Sequence, residues 1–170
     1  MKSAGSRCSP QPHGRIAAVT AKHYRLDELR SLVGKEVALS DWLTITQERI
    51  HAFAEVGEDR QWIHVDPERA KRESLYGGAI AHGFLTVALL SHLRESAFHI
   101  DGQTMGVNYG FNRLRFTAPV LAGTRIRGRF VLHEVEDLPG GVQTTWKCTV
   151  EREHSDKPAL VCDWITRHYG

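Results

Sequence analysis

The chain has 170 residues, 41% of them apolar and 25% charged, which suits one globular domain with a sizeable core, and no internal repeat is visible. Its formal net charge of +2 is unevenly placed: five bases and no acid fall in residues 1–25, leaving 17 bases against 20 acids in the rest. That body has no electrostatic footprint for nucleic acid, and its greasiest segment, FLTVALLSHL, stops well short of the roughly 18 residues that would span a bilayer. A soluble, cytoplasmic protein is the expectation. Cys8, Cys148 and Cys162 form no C-x-x-C pair and no even framework, which favours free thiols over disulfides.

Residues 1–24 mix Ser, Pro, Gly and scattered bases without periodicity, and they lack the apolar region of a secretory signal. They read as a disordered leader, with a composition that also fits an organellar transit peptide, ahead of a single domain over 25–170. RLDELRSLVGKE predicts a short helix with Asp27 as N-cap and Gly34 as its left-handed terminator. Thr46 is placed to cap a second helix whose apolar positions Ile50, Phe53, Ala54 and Val56 keep helical spacing up to a stop at Gly57. Asp66 followed by Pro67 reads as an N-cap with proline at the first helical position of a short polar helix.

LYGGAIAHGFLTVALLSHLRESAF leaves almost no polar face, which predicts a helix buried on all sides. From there the chain alternates with period two: Val107, Tyr109, Phe111; Ile126, Phe130, Leu132; Val142, Thr144, Trp146, Cys148, Val150; Leu160, Cys162, Trp164. These are strands with one face in the core. The parity slips between Phe111 and Leu114, so a bulge is expected near Asn112 and Arg113. Long strands joined by turns at DLPGG and HSDKP, with one buried helix before them, give an α+β class: an antiparallel sheet wrapped around that helix.

The chemistry concentrates in GEDRQWIHVD, residues 57–66. Asp59 and His64 share a loop whose spacing does not force them together, and turn capping with local hydrogen bonding would also account for them. In GGAIAHGF, Gly77 and Gly78 permit close backbone approach, and Gly83 falls in the first turn of the helix, where amides lack internal partners and suit an oxygen carrying negative charge. Glycines before a helix are also commonly just a turn. His82 could join His64 and Asp66 around a metal, but no H-x-x-x-H or cysteine set accompanies them; no metal is expected, and His82 should bond to backbone. Arg113 and Arg115 read as solvent-facing strand residues.

Two stretches together resemble a known family, the MaoC-like or (R)-specific enoyl-CoA hydratases of the hot-dog fold, including their nodulation-protein-N-like branch. FAEVGEDRQWIHVDP looks like the family's hydratase motif of an Asp, an Asn-Pro pair and a His five positions after the Asp, and GGAIAHGFLT is similar to the helix start that follows. NYGFNRLRFTAPVLAGTRI matches the next strand and turn, and the likeness extends from about Arg25 to the C-terminus. The resemblance implies a homodimer of subunits that each wrap a sheet around a long helix. It implies hydration of trans-2-enoyl-CoA to (R)-3-hydroxyacyl-CoA with acyl-CoA as substrate and no cofactor. Asp59 and His64 match the catalytic pair, the Gly83 N–H the donor to the thioester oxygen, and Ser91 a serine lining the acyl pocket. Trp62 reads as packing under the loop, with the floor of the acyl pocket as its other reading. Gln61 and Trp62 stand where the family has Asn-Pro. An acyl-CoA thioesterase and a non-catalytic acyl-CoA-binding subunit are the alternatives the same fold would allow.

Overall fold

The computed structural model describes residues 20–170. The expected leader therefore lies outside the described residues for 1–19, but its boundary at 24 moves. Lys22–Arg25 form strand β1, which pairs in parallel with β4, Phe98–Asp101. Lys22 Nζ and the Tyr24 hydroxyl both donate to the Val37 carbonyl, at 2.9 and 3.1 Å. Those anchors are remote in sequence, which is why composition alone placed the residues in a loose terminus.

Leu26–Leu32 wind as a 3-10 helix; Arg25, not Asp27, occupies its N-cap, and Asp27 instead accepts the Arg25 guanidinium. Gly34 follows with φ +82°, as its position after the last turn requires. Two short strands come next, β2 (Glu36–Leu39) and β3 (Leu43–Thr44), and then helix α1, Gln47–Gly57. Thr46 Oγ1 caps α1 by accepting the Arg49 N–H at 3.3 Å. Gly57 is the last helical residue, and the left-handed turn falls on Glu58, φ +54°. Helices α2 (Trp62–Val65) and α3 (Pro67–Glu73) follow, the second capped by Asp66, whose carboxylate accepts the Arg69 N–H at 2.9 Å.

The central rod is made of α4 (Gly83–Ala88) and α5 (Leu90–Ala97), joined through Leu89 in helical backbone conformation. Around it the long strands β5 (Met105–Phe116), β6 (Arg125–Leu138), β7 (Gly141–Arg152) and β8 (Ser155–Tyr169) build an antiparallel sheet in the order β2-β6-β7-β8-β5, with β3 also on β6. Period-two alternation works as expected on β6, β7 and β8. Ile126, Phe130, Leu132, Trp146, Cys148, Val150, Leu160, Cys162 and Trp164 are buried against Leu85, Leu89, Leu90, Leu93 and Ala97 of the rod. Gly128 lets the two layers approach, because a Cβ there would lie 2.7 Å from the Phe130 ring and 3.3 Å from Leu93 Cβ.

Two expectations fail together. The rod is not buried all round, since Phe84 is 72% exposed and Ala88 and His92 are exposed as well. Val107, Tyr109 and Phe111 of β5 are likewise exposed, not in the core. β5 is an edge strand, paired with β8 alone, so no further strand covers its edge among the described residues. The predicted bulge is there, as a register break between Asn112 and Arg115 with Arg113 at φ +53°. Asn108 Nδ2 of β5 donates to Ser91 Oγ of α5 at 3.2 Å and ties the strand to the helix, while Tyr109 lies under the Arg167 guanidinium and Phe111 stacks on Trp164. The β7–β8 turn is also shorter than HSDKP, being Glu153–His154, because β8 already starts at Ser155.

Candidate active site

The site forms where α2, the segment leading into α4 and the strand-like run after β5 meet. Ile80 N–H donates to the Ile63 carbonyl (3.0 Å), Ala81 N–H to Val120 (2.8 Å) and Ala122 N–H to Ala79 (2.9 Å). These bonds stitch three stretches distant in sequence into one wall. Helix α1 braces α2 from the other side: Gln47 Nε2 donates to the His64 carbonyl at 2.7 Å and the His51 Nε2–H to Val65 at 3.0 Å. A helix of one turn leaves its last carbonyls without internal partners, and these two side chains supply them. Nothing in the sequence singled out Gln47 or His51, because their partners lie 17 and 14 residues away.

His64 is 6% exposed, with Nδ1 2.7 Å from the Ile80 carbonyl. A carbonyl only accepts, so Nδ1 carries the proton and Nε2 of the neutral ring presents a bare lone pair. Burial pushes the His64 imidazole below the ordinary histidine value of 6.5; the Ile80 hydrogen bond and the Asp59 charge pull the other way without prevailing. Asp59 is exposed and tied by its side chain to the Gln61 N–H at 3.3 Å. One potential ligand atom from each of Asp59, His64 and His82 lies within 4.8 Å of the others. The sequence-predicted pair is therefore brought together, across a loop that left the question open.

His82 bonds to backbone, as expected: its Nε2–H donates to the Asp59 carbonyl at 2.9 Å. Its ring stacks on His64 with centroids 3.8 Å apart and planes 27° from parallel. Two nearly parallel imidazoles aim their in-plane lone pairs side by side, whereas a tetrahedral ion needs them to converge at about 2 Å. Asp66, the third residue weighed for a metal, is committed to its helix cap.

A cleft of about 340 Å³ opens at His64 and is walled by Tyr76, Gly83, Thr86, Phe116 and Pro119 among others. Gly83 lines it at the start of α4. A Cβ there would sit 2.8 Å from the Phe116 ring, so a side chain would have to displace this part of the wall. Phe116 and Pro119 were not foreseeable as wall residues, because only the packing of β5 against α4 brings them in. A larger hollow of about 520 Å³, between the 3-10 helix and the β6–β7 hairpin end, is lined by no histidine. Two expected pocket residues do not reach the cleft in this chain. Trp62 packs under the Arg69 guanidinium, 4.5 Å from its ring centroid, and Ser91 lies two turns further along the rod with Asn108. Arg113 and Arg115 face solvent.

A long helix packed on a wrapped antiparallel sheet, with Asp59 and His64 brought beside His82 at its start, is the hot-dog arrangement. Solved structures share this architecture: a monoamine oxidase regulatory protein from Archaeoglobus matches with a TM-score of 0.70 at 20% identity, over 89% of this chain and 98% of that one. An R-hydratase from Pseudomonas aeruginosa in unliganded form matches at 0.63 and 24% identity, over 79% of each chain. The MaoC like domain matches residues 28–153, and the chain belongs to that family. It is 50% identical over 142 residues to nodulation protein N of Rhizobium meliloti, covering 82% of this chain and 88% of the relative. It is 48% identical over 142 residues to the 3-hydroxyacyl-thioester dehydratase Z of Mycobacterium tuberculosis, covering 83% and 93%.

Proposed function

We propose that this protein is an (R)-specific enoyl-CoA hydratase, adding water to trans-2-enoyl-CoA to give (R)-3-hydroxyacyl-CoA and running the reverse elimination when product accumulates. The observation that carries the reading is the state of His64: its Nδ1–H is committed to Ile80, and its bare Nε2 belongs to a cleft-lining ring beside Asp59. A relative 48% identical over 142 residues, named for dehydrating a 3-hydroxyacyl thioester, supports it.

In this reading a water bridges His64 Nε2 and the Asp59 carboxylate. Its oxygen bonds to C3 as the C2–C3 π bond opens; His64 Nε2 receives one of its protons while Asp59 holds the other hydrogen in line. The electron pair moves onto the thioester oxygen, where the Gly83 N–H stabilises the enolate. The proton then passes to C2, and the pair ends the cycle unchanged. No cofactor enters this balance. Positioned proton transfer of this kind contributes roughly 10² to 10⁴ in rate.

The β5 edge, paired on one side only and carrying the exposed side chains Val107, Tyr109 and Phe111, supports a homodimer in which a second copy covers it. The experiment that tests the function is product stereochemistry after incubation with trans-2-enoyl-CoA of graded chain length. The (R)-alcohol is expected. An (S)-product, or free thiol release without loss of the enoyl absorbance, would sink the assignment.

A further inference from the structure

His82 takes no part in the water chemistry just described, yet it touches each piece of it. Its Nε2–H holds the carbonyl of Asp59, its ring face lies on His64, and the next residue in the chain is Gly83. It is 2% exposed, and Phe53 of α1 closes over it with ring centroids 5.0 Å apart. With Nε2 donating, Nδ1 of the neutral ring is an acceptor, and this buried atom has no hydrogen-bond partner among the described residues. A buried acceptor left without a partner costs free energy that an apolar ring of similar size would avoid. The imidazole is thus a worse filler than phenylalanine would be, so space-filling does not explain it. What it alone supplies is a donor to the Asp59 loop combined with a flat face for His64.

We propose that His82 is the positioning residue that sets Asp59 and His64 against each other. Asp59 needs such a hold because it lies on an exposed stretch directly after the left-handed Glu58, and its own carboxylate is engaged only locally, with the Gln61 N–H. His64 has its edge fixed by Ile80, but one hydrogen bond leaves the ring free to rock about that bond. The stacked face of His82 removes this freedom and keeps Nε2 in the plane that faces the shared water. Because His82 also opens α4, a shift of the helix start would move the pair and the Gly83 amide in concert.

The inference rests on the hydratase reading, and two variants of the full-length protein separate its parts. His82→Phe keeps the stacking face and removes the donor; His82→Gln keeps a donor and removes the face. Folding is checked by thermal melts, and trans-2-enoyl-CoA hydration is followed together with ¹⁵N NMR of the histidine rings. His82→Phe is expected to lower kcat by about 10- to 100-fold while KM changes less than about twofold, as misplacement of catalytic groups does. His82→Gln should retain more of kcat, while the His64 ring signals shift and broaden as the ring gains freedom about its Nδ1–H bond to Ile80. If either variant fails to fold, the other carries the comparison against wild type. A folded variant with wild-type kcat and unchanged His64 signals overturns the proposal. A wild type without hydration activity overturns the hydratase reading instead, and the position and width of the His64 ring signals in the variants still decide whether His82 holds it.

Discussion

Two buried histidines are held in opposite ways. His168, on β8, has both nitrogens occupied: Nδ1–H donates to Gln103 Oε1 at 2.8 Å, and Nε2 accepts from the Thr166 hydroxyl at 2.9 Å. The run continues through Thr144, 2.7 Å from Thr166, to the Trp146 Nε1–H at 2.7 Å, so every member has a partner. His64 has one nitrogen satisfied and one bare, and it lines a cleft. The first arrangement locks the sheet; the second keeps a reactive lone pair available. Burial alone therefore does not distinguish a structural histidine from a chemical one, whereas a bare nitrogen on a ring that lines a cleft does; the bare Nδ1 of His82 is buried away from it.

The sharpest way to break this contrast is to remove each ring. His64→Ala and Asp59→Asn should each lower hydration roughly 10²- to 10⁴-fold with little change in the thermal midpoint, measured by loss of enoyl absorbance alongside a melt. His168→Ala should do the reverse, with activity near wild type in the folded fraction and a clear loss of stability. The acid response comes next. Burial, aided by the Arg94 charge, pushes His168 from 6.5 down to about 4. A histidine with a lowered folded value favours the fold in its neutral form. Its stability is fully present above pH 6.5 and falls away as pH drops toward 4, a loss of about 3 kcal/mol seen as a declining denaturation midpoint. His64 carries the same sign into function: the acid limb of kcat/KM, which reports the free enzyme, should fall below the ordinary histidine value of 6.5, not at it. The smallest effect is Thr144→Val, which removes the 2.7 Å acceptor of the Trp146 N–H and leaves it the longer 3.2 Å bond to Thr166 Oγ1. It should cost about 0.5–1.5 kcal/mol in urea unfolding and leave kcat unchanged.

Both histidines were on view in the sequence, but only one kind of information was. Alternation along β6 to β8 named the inward residues correctly, because a strand buried on one face repeats every second residue whatever lies opposite. The caps at Thr46 and Asp66 were legible for the same local reason. Alternation also nominated Val107, Tyr109 and Phe111, and there it failed, since an apolar face says that something covers it and not that the same chain does. β1 was missed because a parallel pairing with β4, some 76 residues on, leaves no local mark. At the site, Asp59 and His64 came from motif likeness, whereas the stack with His82, the brace from Gln47 and His51, and the Phe116 wall depend on contacts no short spacing encodes.

Cys148 and Cys162 face each other in register across β7 and β8, both buried. Burial, reinforced by the neighbouring Cys162, pushes the Cys148 thiol well above its usual value, so it stays protonated and unreactive while the sheet is closed. An alkylating reagent in solution can then modify it only during openings that part the two central strands. The labelling rate of this one sulfur becomes a clock for the rarest opening of the sheet, readable by mass spectrometry without perturbing the site.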